Sequence, residues 1–497
     1  MAAAAAPGAA RPGLVRVVME NVEALAIAVV MALILKHFLI EAYKIPTGSM
    51  QPGIMGDQTV GIFDRVLVDK TVYLLREPRR FEVVVFKNPL WLRQNYIKRL
   101  VAFGGERVGI RNGDLFVTPP GGRDEAIARK PDDVWRAVRK EIVREQGGAI
   151  DLARVFQVDR GELRIAGEKI VFPAGADAAL RTRESIRNGY LDGYEPEWVE
   201  AYASPSPGTG ARFYYANKKG GIVSDAELAA DVTPGADATR VTFEIREAGR
   251  LHRAELAIGS GRGTLLTQAI EGLDGVEWED QAQDATFPAL PAGVTTHVSL
   301  RNVDDEIVLE LDGEVVLRRP YRTHGVDPEH DPKTRALLAT HAVIEAKGAF
   351  TLTDVGLWRD IHYLADGRDD GARAAVFTIP DGEFMVLGDN TQNSWDCRQW
   401  EEATWTLADG RQISGNYFSA GPKGDNPESN PAFDGAYIEF RNRYGQLYRF
   451  AENETAQDDP KVVAVHSVPR RFLLGKALAV FWPLPPASPT WRLKWVR

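Results

Sequence analysis

An uninterrupted apolar run near the start of the chain constrains the fold most strongly. Every residue from Ala24 to Leu35 is apolar, and the wider segment Val22–Ile40 is broken only by charged residues and a histidine near its ends. As a helix rising 1.5 Å per residue, the wider segment would cover about 29 Å, close to the thickness of a hydrocarbon core. We expect a single transmembrane anchor over residues 17–40, with a buried or amphipathic helix as the alternative.

The residues around this run indicate its orientation. Residues 1–16 contain Arg11 and Arg16 and no acidic residue, and short basic segments stay on the cytoplasmic side of a membrane. The residues that follow the run, His37 to Tyr43, offer no small-residue site at which a signal peptide would be removed. We therefore expect an uncleaved anchor, with everything after Ile40 across the membrane.

Composition excludes several classes of protein. The 497 residues carry a formal net charge of −9, which argues against a general nucleic-acid binder. The one cysteine, Cys397, excludes an internal disulfide and a four-cysteine zinc site. No internal repeat is visible.

Short strand patterns dominate two regions of the chain. Residues 58–118 contain apolar runs broken by Gly, Pro and Asp, with Asn112-Gly113 as a hairpin turn. Residues 205–360 again alternate, with a second hairpin turn at Asp312-Gly313, and this spacing suits a β-sandwich. Four-residue spacing of apolar side chains predicts a helix over 131–145. The fold class we predict is mainly β, and the sandwich resembles the concanavalin/laminin-G type of jelly roll at the level of fold.

Ser49 is the first candidate for chemistry, because it follows the apolar run closely. Pro46 stiffens the chain before it and Gly48 permits close approach, so a shaped loop can display the serine. A serine hydroxyl is a poor nucleophile without a base. The eight histidines lie in the apolar run, in the long middle region or outside any motif, so lysine is the other candidate base.

Lys98 lies inside an apolar strand pattern. Alternation places Lys98 on one face with Tyr96 and Leu100, and places Arg99 on the opposite face. Burial disfavours the ammonium form and lowers the pKa of a lysine, as a lysine base requires. An exposed strand lysine is the alternative for this segment alone.

Ordered motifs join these two residues to the far end of the chain. They are Pro46-Thr47-Gly48-Ser49-Met50, Val84-Val85-Phe86-Lys87-Asn88-Pro89, Tyr96-Ile97-Lys98-Arg99, the box Gly388–Arg398 and a closing strand with Phe481-Trp482-Pro483. Together they resemble the bacterial type I signal peptidases, membrane-anchored Ser/Lys endopeptidases that release signal peptides from exported proteins. The resemblance covers residues 41–118, 376–400 and 461–497.

The resemblance implies a role for each matching residue. Ser49 would be the nucleophile and Lys98 the general base. The Ser49 backbone N–H and the Thr47 hydroxyl would form the oxyanion hole, and Ser394 would orient Lys98. Structural support would come from Asp389, Asn390, Asp396 and Arg398. No cofactor or metal is required.

The resemblance also implies substrate pockets. Two shallow apolar pockets would select small residues at Ala-x-Ala sites, and ordinary core packing is the alternative for their walls. Those walls would include Tyr43, Ile45, Pro46, Val85, Tyr96 and Ile97.

The sequence divides into successive segments on this basis. They are a cytoplasmic N-terminus (1–16), the anchor (17–40), a first catalytic part (41–118), an insertion with a helical segment (119–204), an inserted β-sandwich (205–365), a second catalytic part (376–400), a second insertion (401–460), and a closing strand with a basic tail (461–497).

The function we expect is signal-peptide cleavage at the bacterial cytoplasmic membrane, with the catalytic domain on the outer side. The expected partners are secretory preproteins and the lipid bilayer, but not nucleic acid. The insertion could bind a glycan or an envelope partner. Two alternatives remain: a surface-binding protein on a degenerate peptidase frame, and a self-processing Ser/Lys protease.

Overall fold

The computed structural model describes residues 14–57, 62–142, 151–187, 222–247, 249–259, 262–269, 285–321, 339–365, 375–417, 430–434, 437–456, 459–482 and 493–497. Most of the predicted cytoplasmic segment lies outside these residues. The described part is mainly β, as the sequence predicts.

One long helix begins the described chain. It runs over Leu14–Ile34 and continues through a π-helical turn, Leu35–Leu39, directly into strand Ile40–Lys44. Apolar side chains such as Leu25 and Val30 are exposed on it. Within the described residues, no helix combines the length and the apolar character needed to cross a membrane.

An eight-stranded sheet, which we call the site sheet, includes the strand that carries Lys98. Strand Lys494–Trp495 pairs with Ala479 and Val480 of strand Leu473–Trp482. The other strands follow in the spatial order Ile40–Lys44, Arg65–Asp69, Leu473–Trp482, Val83–Asn88, Trp91–Phe103, Glu383–Leu387 and Val468–Pro469.

Both faces of the site sheet are covered. Val84 and Leu100 belong to one apolar cluster, whereas Val83, Val85 and Ile97 belong to another. Two-sided burial explains why these strands read as continuous apolar runs rather than as alternating ones. Strands from residues 40–103, 383–387 and 468–482 thus join in one sheet although long insertions separate them.

A four-stranded sheet lies next in the chain. Its strands are Ala375–Thr378, Arg107–Arg111, Asp114–Thr118 and Ala126–Ile127 in spatial order. Asn112 and Gly113 both have positive φ, +51° and +92°, as a two-residue hairpin turn requires. The predicted hairpin is confirmed.

Two further sheets form the predicted β-sandwich. Their facing side chains, among them Phe243, Leu300 and Leu357, build one apolar core. One sheet has the order Arg164–Ala166, Lys169–Phe172, Phe350–Arg359, Ala226–Pro234, Thr296–Asn302, Glu306–Leu311 and Glu314–Pro320, with Lys140–Glu141 on Phe350–Arg359. The other has the order Phe156–Arg160, Asp177–Thr182, His341–Lys347, Arg240–Glu247, Arg250–Ala257, Arg262–Ala269 and Ala285–Pro288.

Two predicted boundaries need correction. The sandwich sheets begin before residue 205, because Lys140–Glu141 and four short strands between 156 and 182 pair into them. The predicted helix over 131–145 spans only Asp132–Val138. It stops because Lys140–Glu141 pairs with Trp358 and Arg359, so sheet pairing overrides the local helical period. Residues 143–150 lie outside the described part.

The second insertion contains two small sheets. One has the order Gln412–Asn416, Glu401–Thr406 and Lys461–Ala464, and the other has Ala432–Asp434, Tyr437–Arg441 and Leu447–Ala451. Residues 461–464 thus belong to this insertion rather than to the closing strand, which is Leu473–Trp482. The remaining short elements are strands Gly56–Asp57 and Ile62–Phe63, helices Val72–Leu75 and Leu152–Val155, and 3-10 turns Gly48–Met50, Glu452–Glu454 and Arg470–Phe472.

Candidate active site

Ser49 lies in the 3-10 turn Gly48–Met50, which follows the first strand of the site sheet. Thr47 precedes the turn in an extended conformation, with φ −126° and ψ 154°. Ser49 is 7% exposed, and Met50 beside it is fully buried in an apolar cluster. Burial of Met50 anchors the turn that carries Ser49.

Lys98 reaches Ser49 from the middle of strand Trp91–Phe103. Its Nζ donates a hydrogen bond to Ser49 Oγ at 2.5 Å, and the lysine is 4% exposed. The same Nζ lies 5.6 Å from the centroid of the Tyr96 ring, on the face that strand alternation predicts. A hydroxyl and an amine are therefore in direct contact at a buried position.

The pKa of Lys98 suits a base. Burial lowers the pKa of the ammonium from 10.5 to about 8, against the opposing charges of Asp396 and Asp389. Removing an ammonium from water disfavours its charged form, which is the physical cause of the shift. A lysine with a pKa near 8 is partly unprotonated in mildly basic solution and can accept a proton.

Asn390 holds the Gly48–Met50 turn from the other side. Its backbone N–H donates to the Ser49 carbonyl oxygen at 3.1 Å, and its Nδ2 donates to the Gly48 carbonyl oxygen at 3.2 Å. These bonds connect two segments that are far apart in the sequence. They place the turn and the Gly388–Arg398 box in a fixed relation.

Asp396 and Arg398 form a buried pair behind the site. Arg398 donates to both carboxylate oxygens of Asp396, at 2.8 and 2.7 Å, and both side chains are fully buried. Burial alone would raise the pKa of Asp396, but Arg398 outweighs it and holds that pKa below its usual value. The hydrogen bond found for the Ser394 hydroxyl goes to Oδ2 of Asp396, at 2.7 Å. Asp396 in turn acts on Lys98 through its charge.

Arg99, which sequence reasoning did not assign to the site, pairs with Asp389. Its Nε and Nη2 each donate to one carboxylate oxygen at 2.7 Å, and its Nη1 donates to the Phe81 carbonyl oxygen. The sequence does carry a sign of such an ion pair. Lys98 and Arg99 are adjacent cations in an apolar strand, and a buried cation needs a partner. The alternation of the strand directs Lys98 to Ser49 and Arg99 to Asp389.

The six predicted substrate-pocket residues divide into three groups. Ile45, Val85 and Ile97 are buried in one cluster, and Tyr43 packs against it. Pro46 is exposed. Tyr96 borders a different cluster, where its ring contacts aromatic residues that the sequence did not single out, namely Phe86, Trp395 and Trp400.

Cys397 is buried beside the site. Burial raises the pKa of its thiol well above the usual value, so it stays protonated.

Thr47, unlike Cys397, is exposed, and it lies two residues before Ser49. The arrangement can activate one hydroxyl, Ser49 Oγ, with one amine, Lys98 Nζ.

Part of the chain is similar in sequence to known peptidases. Residues 18–148, which include Ser49 and Lys98, match the family model described as signal peptidase, peptidase S26. The chain is 31% identical over 139 residues to signal peptidase I of Leptolyngbya laminosa, covering 26% of this chain and 65% of that protein. It is 34% identical over 89 residues to signal peptidase I of Aquifex aeolicus, covering 18% and 32%. The chain thus covers less than two thirds of the length of either relative.

Solved structures resemble the chain only distantly. The carbohydrate recognition domain of Emp46p matches with TM-score 0.25 and 8% identity, over 41% of this chain and 88% of that one. A carbohydrate binding module from Bacillus subtilis matches with TM-score 0.23 and 10% identity, over 40% and 92%. The strand pairing, and not this likeness, defines the sandwich.

Proposed function

We propose that this chain, which carries a peptidase S26 domain, is a membrane-anchored serine endopeptidase that removes signal peptides from exported preproteins. The observation that carries the proposal is the 2.5 Å hydrogen bond between Lys98 Nζ and Ser49 Oγ. Relatives named signal peptidase I support the same reading.

The chemistry follows from this contact. Unprotonated Lys98 takes the proton of the Ser49 hydroxyl as Oγ attacks the scissile carbonyl carbon. The carbonyl π electrons move to its oxygen, and the tetrahedral intermediate then expels the amine, which receives the proton from Lys98. Water attacks the resulting ester in the second half, with Lys98 again as the base, and restores Ser49.

The oxyanion would be stabilised at the turn. The Ser49 backbone N–H and the Thr47 hydroxyl would be its donors, and the exposure of Thr47 supports access to its hydroxyl by an incoming substrate. Donors fixed in place before the reaction stabilise developing charge without reorganisation. Ser394, Asp396 and Arg398 would position Lys98, and Asn390 would hold the turn.

Substrate selection and the membrane belong to the same proposal. Ile45, Val85 and Ile97 share one apolar cluster near Ser49, which would form the pocket walls for small residues together with Tyr43, Pro46 and Tyr96. The exposed apolar side chains of helix Leu14–Ile34 favour contact with lipid, and strand Ile40–Lys44 would hold the site close to the bilayer surface. The catalytic domain would lie on the outer side of a bacterial cytoplasmic membrane.

The test is cleavage of a preprotein with an Ala-x-Ala site by the full chain in detergent. Wild type should cut after the second small residue, and Ser49→Ala and Lys98→Ala should each abolish cleavage while remaining folded by circular dichroism. A matched control is Lys87→Ala, which removes an exposed lysine of the neighbouring strand. An inactive wild type on several preproteins, or a fully active Lys98→Ala, would refute the Ser/Lys mechanism. Self-processing without cleavage of added preprotein would favour the self-processing alternative. A glycan or envelope partner for the sandwich stays a prediction from the sequence.

A further inference from the structure

Three side chains meet on the outer face of the sandwich, away from the proposed active site. Asp231, His297 and Asp354 each offer one ligand atom, and these atoms all lie within 4.8 Å of one another. They come from three neighbouring strands, and we call them the Asp-His-Asp cluster. From the donor set and its support described below, we propose that this cluster binds a divalent transition-metal ion such as Zn²⁺.

Two of the ligands are aligned by strand register. Asp231 and His297 are direct partners across an antiparallel pair, and His297 Nδ1 lies 2.7 Å from Asp231 Oδ1. The backbone of His297 is held further by Asp312. The His297 N–H donates to Asp312 Oδ1 at 2.8 Å, and the Asp312 N–H donates to the His297 carbonyl oxygen at the same distance. These two hydrogen bonds hold the backbone position from which the imidazole of His297 projects.

A β-bulge supplies the third ligand. On the other side of Asp231, Ala229 pairs with Gly356 and Asp231 pairs with Thr353, so Asp354 and Val355 both oppose Ala230. Asp354 has φ +47°, in the left-handed region that aspartate tolerates better than most residues. As a result Asp354 is exposed and Val355 is buried. The bulge turns a second carboxylate toward the outer face, as bulges beside functional sites often do.

The charges on this face differ between its two halves. Helix Asp132–Val138 lies against one half, where Arg139 pairs with Glu227 and Arg136 pairs with Glu310. In the other half, no lysine or arginine forms an ion pair with Asp231 or Asp354 among the residues that the structure describes. Two neighbouring carboxylates repel each other, and a divalent cation between them would compensate both charges.

The donor set selects the class of metal. One imidazole nitrogen with two carboxylate oxygens suits Zn²⁺, which binds such mixed ligands, whereas Ca²⁺ and Mg²⁺ prefer oxygen ligands alone. Asp231 and His297 are about one-third exposed, so an ion can enter and solvent can complete its coordination. A three-ligand site of this kind keeps a position open for water or another ligand.

The test is titration of the full chain in detergent with Zn²⁺, followed by isothermal calorimetry. Wild type should bind one Zn²⁺ that Asp354→Asn and His297→Gln each weaken at least about tenfold, because even changes to supporting residues cost that much at metal sites. Asparagine also tolerates the left-handed conformation, so Asp354→Asn should keep the bulge. The matched control is Asp177→Asn, which removes an exposed carboxylate from the other sheet of the sandwich.

The thermal midpoint provides a second measurement on the same proteins. Zn²⁺ should raise it for wild type and for Asp177→Asn but not for the two cluster variants, since only a folded protein that binds the ion is stabilised. The thermal midpoints of all variants are first compared without metal, so that a folding defect is recognised. The cluster variant that keeps the wild-type midpoint then decides whether the cluster binds Zn²⁺. Absence of Zn²⁺ binding in wild type, or unchanged binding in Asp354→Asn, would overturn the proposal. Unchanged binding would point instead to the buried carboxylates Asp114, Asp225 and Asp304.

Discussion

Asp389 accepts two hydrogen bonds from Arg99, the neighbour of Lys98 in the same strand, and both side chains are only 3% exposed. The charge of Asp389 also acts on Lys98, where it raises the lysine pKa against the effect of burial. One carboxylate therefore neutralises a buried guanidinium and sets part of the basicity of the proposed catalytic amine. Structural support and proton transfer are coupled through this pair.

The pH dependence of cleavage tests the role of Lys98. The base must be unprotonated, and burial lowers its pKa to about 8. Cleavage at saturating preprotein should therefore rise with pH and reach half its maximum near pH 8, as a rate-against-pH series on folded protein would measure. Lys98→Arg, which keeps a charge that does not titrate in this range, should be inactive throughout. A rate that does not change between pH 6 and pH 9 would contradict the assignment.

Asp389→Asn should destabilise the fold strongly. The change leaves the guanidinium of Arg99 buried without its counter-charge, and breaking such a pair costs roughly 3–5 kcal/mol. Urea denaturation measures this loss. The matched control is Asp409→Asn, because the Asp409–Arg411 pair is exposed and should change the unfolding free energy by less than about 1 kcal/mol.

The same variant should shift the pH profile. Asp389 raises the pKa of Lys98, so its removal lowers that pKa, and the half-maximal rate should move to a pH below that of wild type. This sign separates an electrostatic role from a merely structural one, which would reduce the rate equally at every pH. An unchanged half-maximal pH would show that the charge of Asp389 does not act on Lys98.

The outcome for individual residues shows how far sequence reasoning extends. Strand alternation predicted that Lys98 and Arg99 face opposite ways, and the structure gives them different partners accordingly. Asp389, the partner of Arg99, lies 290 positions away, and no local pattern specifies a contact across so long an insertion. The resemblance to signal peptidases assigned Ser49 and Asp389 to the same site. It did not predict the ion pair between Asp389 and Arg99.

The sandwich shows a second limit of local patterns. Its longer strands, such as Arg240–Glu247 and Phe350–Arg359, lie in the region 205–360 whose strand patterns predict the sandwich. The strands between 156 and 182 are short, and their places are determined by pairing with distant strands. The helix predicted over 131–145 ends early for the same reason. Tertiary pairing, which a single sequence does not display, decides such boundaries.

Thr47→Val tests the oxyanion hole. The substitution removes the hydroxyl but keeps the branched shape, so the rate constant for cleavage should fall by about 10²–10³ with little change in KM. Thr47 is exposed, and its side chain makes no capping hydrogen bond to the 3-10 turn, so the unfolding free energy should change by less than about 0.5 kcal/mol. Thr47→Ser, which keeps the hydroxyl, should retain activity. Equal activity in Thr47→Val and wild type would remove Thr47 from the mechanism.

Gly388→Ala should break the contact between the two halves of the site. A Cβ atom at Gly388 would lie 2.1 Å from Ser394 Oγ and 2.5 Å from the Ser49 carbonyl oxygen, and both distances are far inside van der Waals contact. The Ser49 turn must therefore move away from the Gly388–Arg398 box. We expect at least about a hundredfold loss of cleavage, because small displacements of reacting groups have effects of that size. The unfolding free energy should fall by about 1–3 kcal/mol, as for other overpacked sites.

Gly53→Ala is the matched control for this change, because Gly53 also lies near Asp389. There a Cβ atom would meet Met50 O at 3.4 Å and Asp389 Oδ2 at 3.6 Å, which are ordinary contacts. Urea denaturation and preprotein cleavage should both leave Gly53→Ala close to wild type. If Gly388→Ala instead cleaves preprotein at the wild-type rate, the close approach of Gly388 to Ser49 and Ser394 is not needed for catalysis. The exact position of the Ser49 turn relative to the Gly388–Arg398 box would then not affect the rate of cleavage.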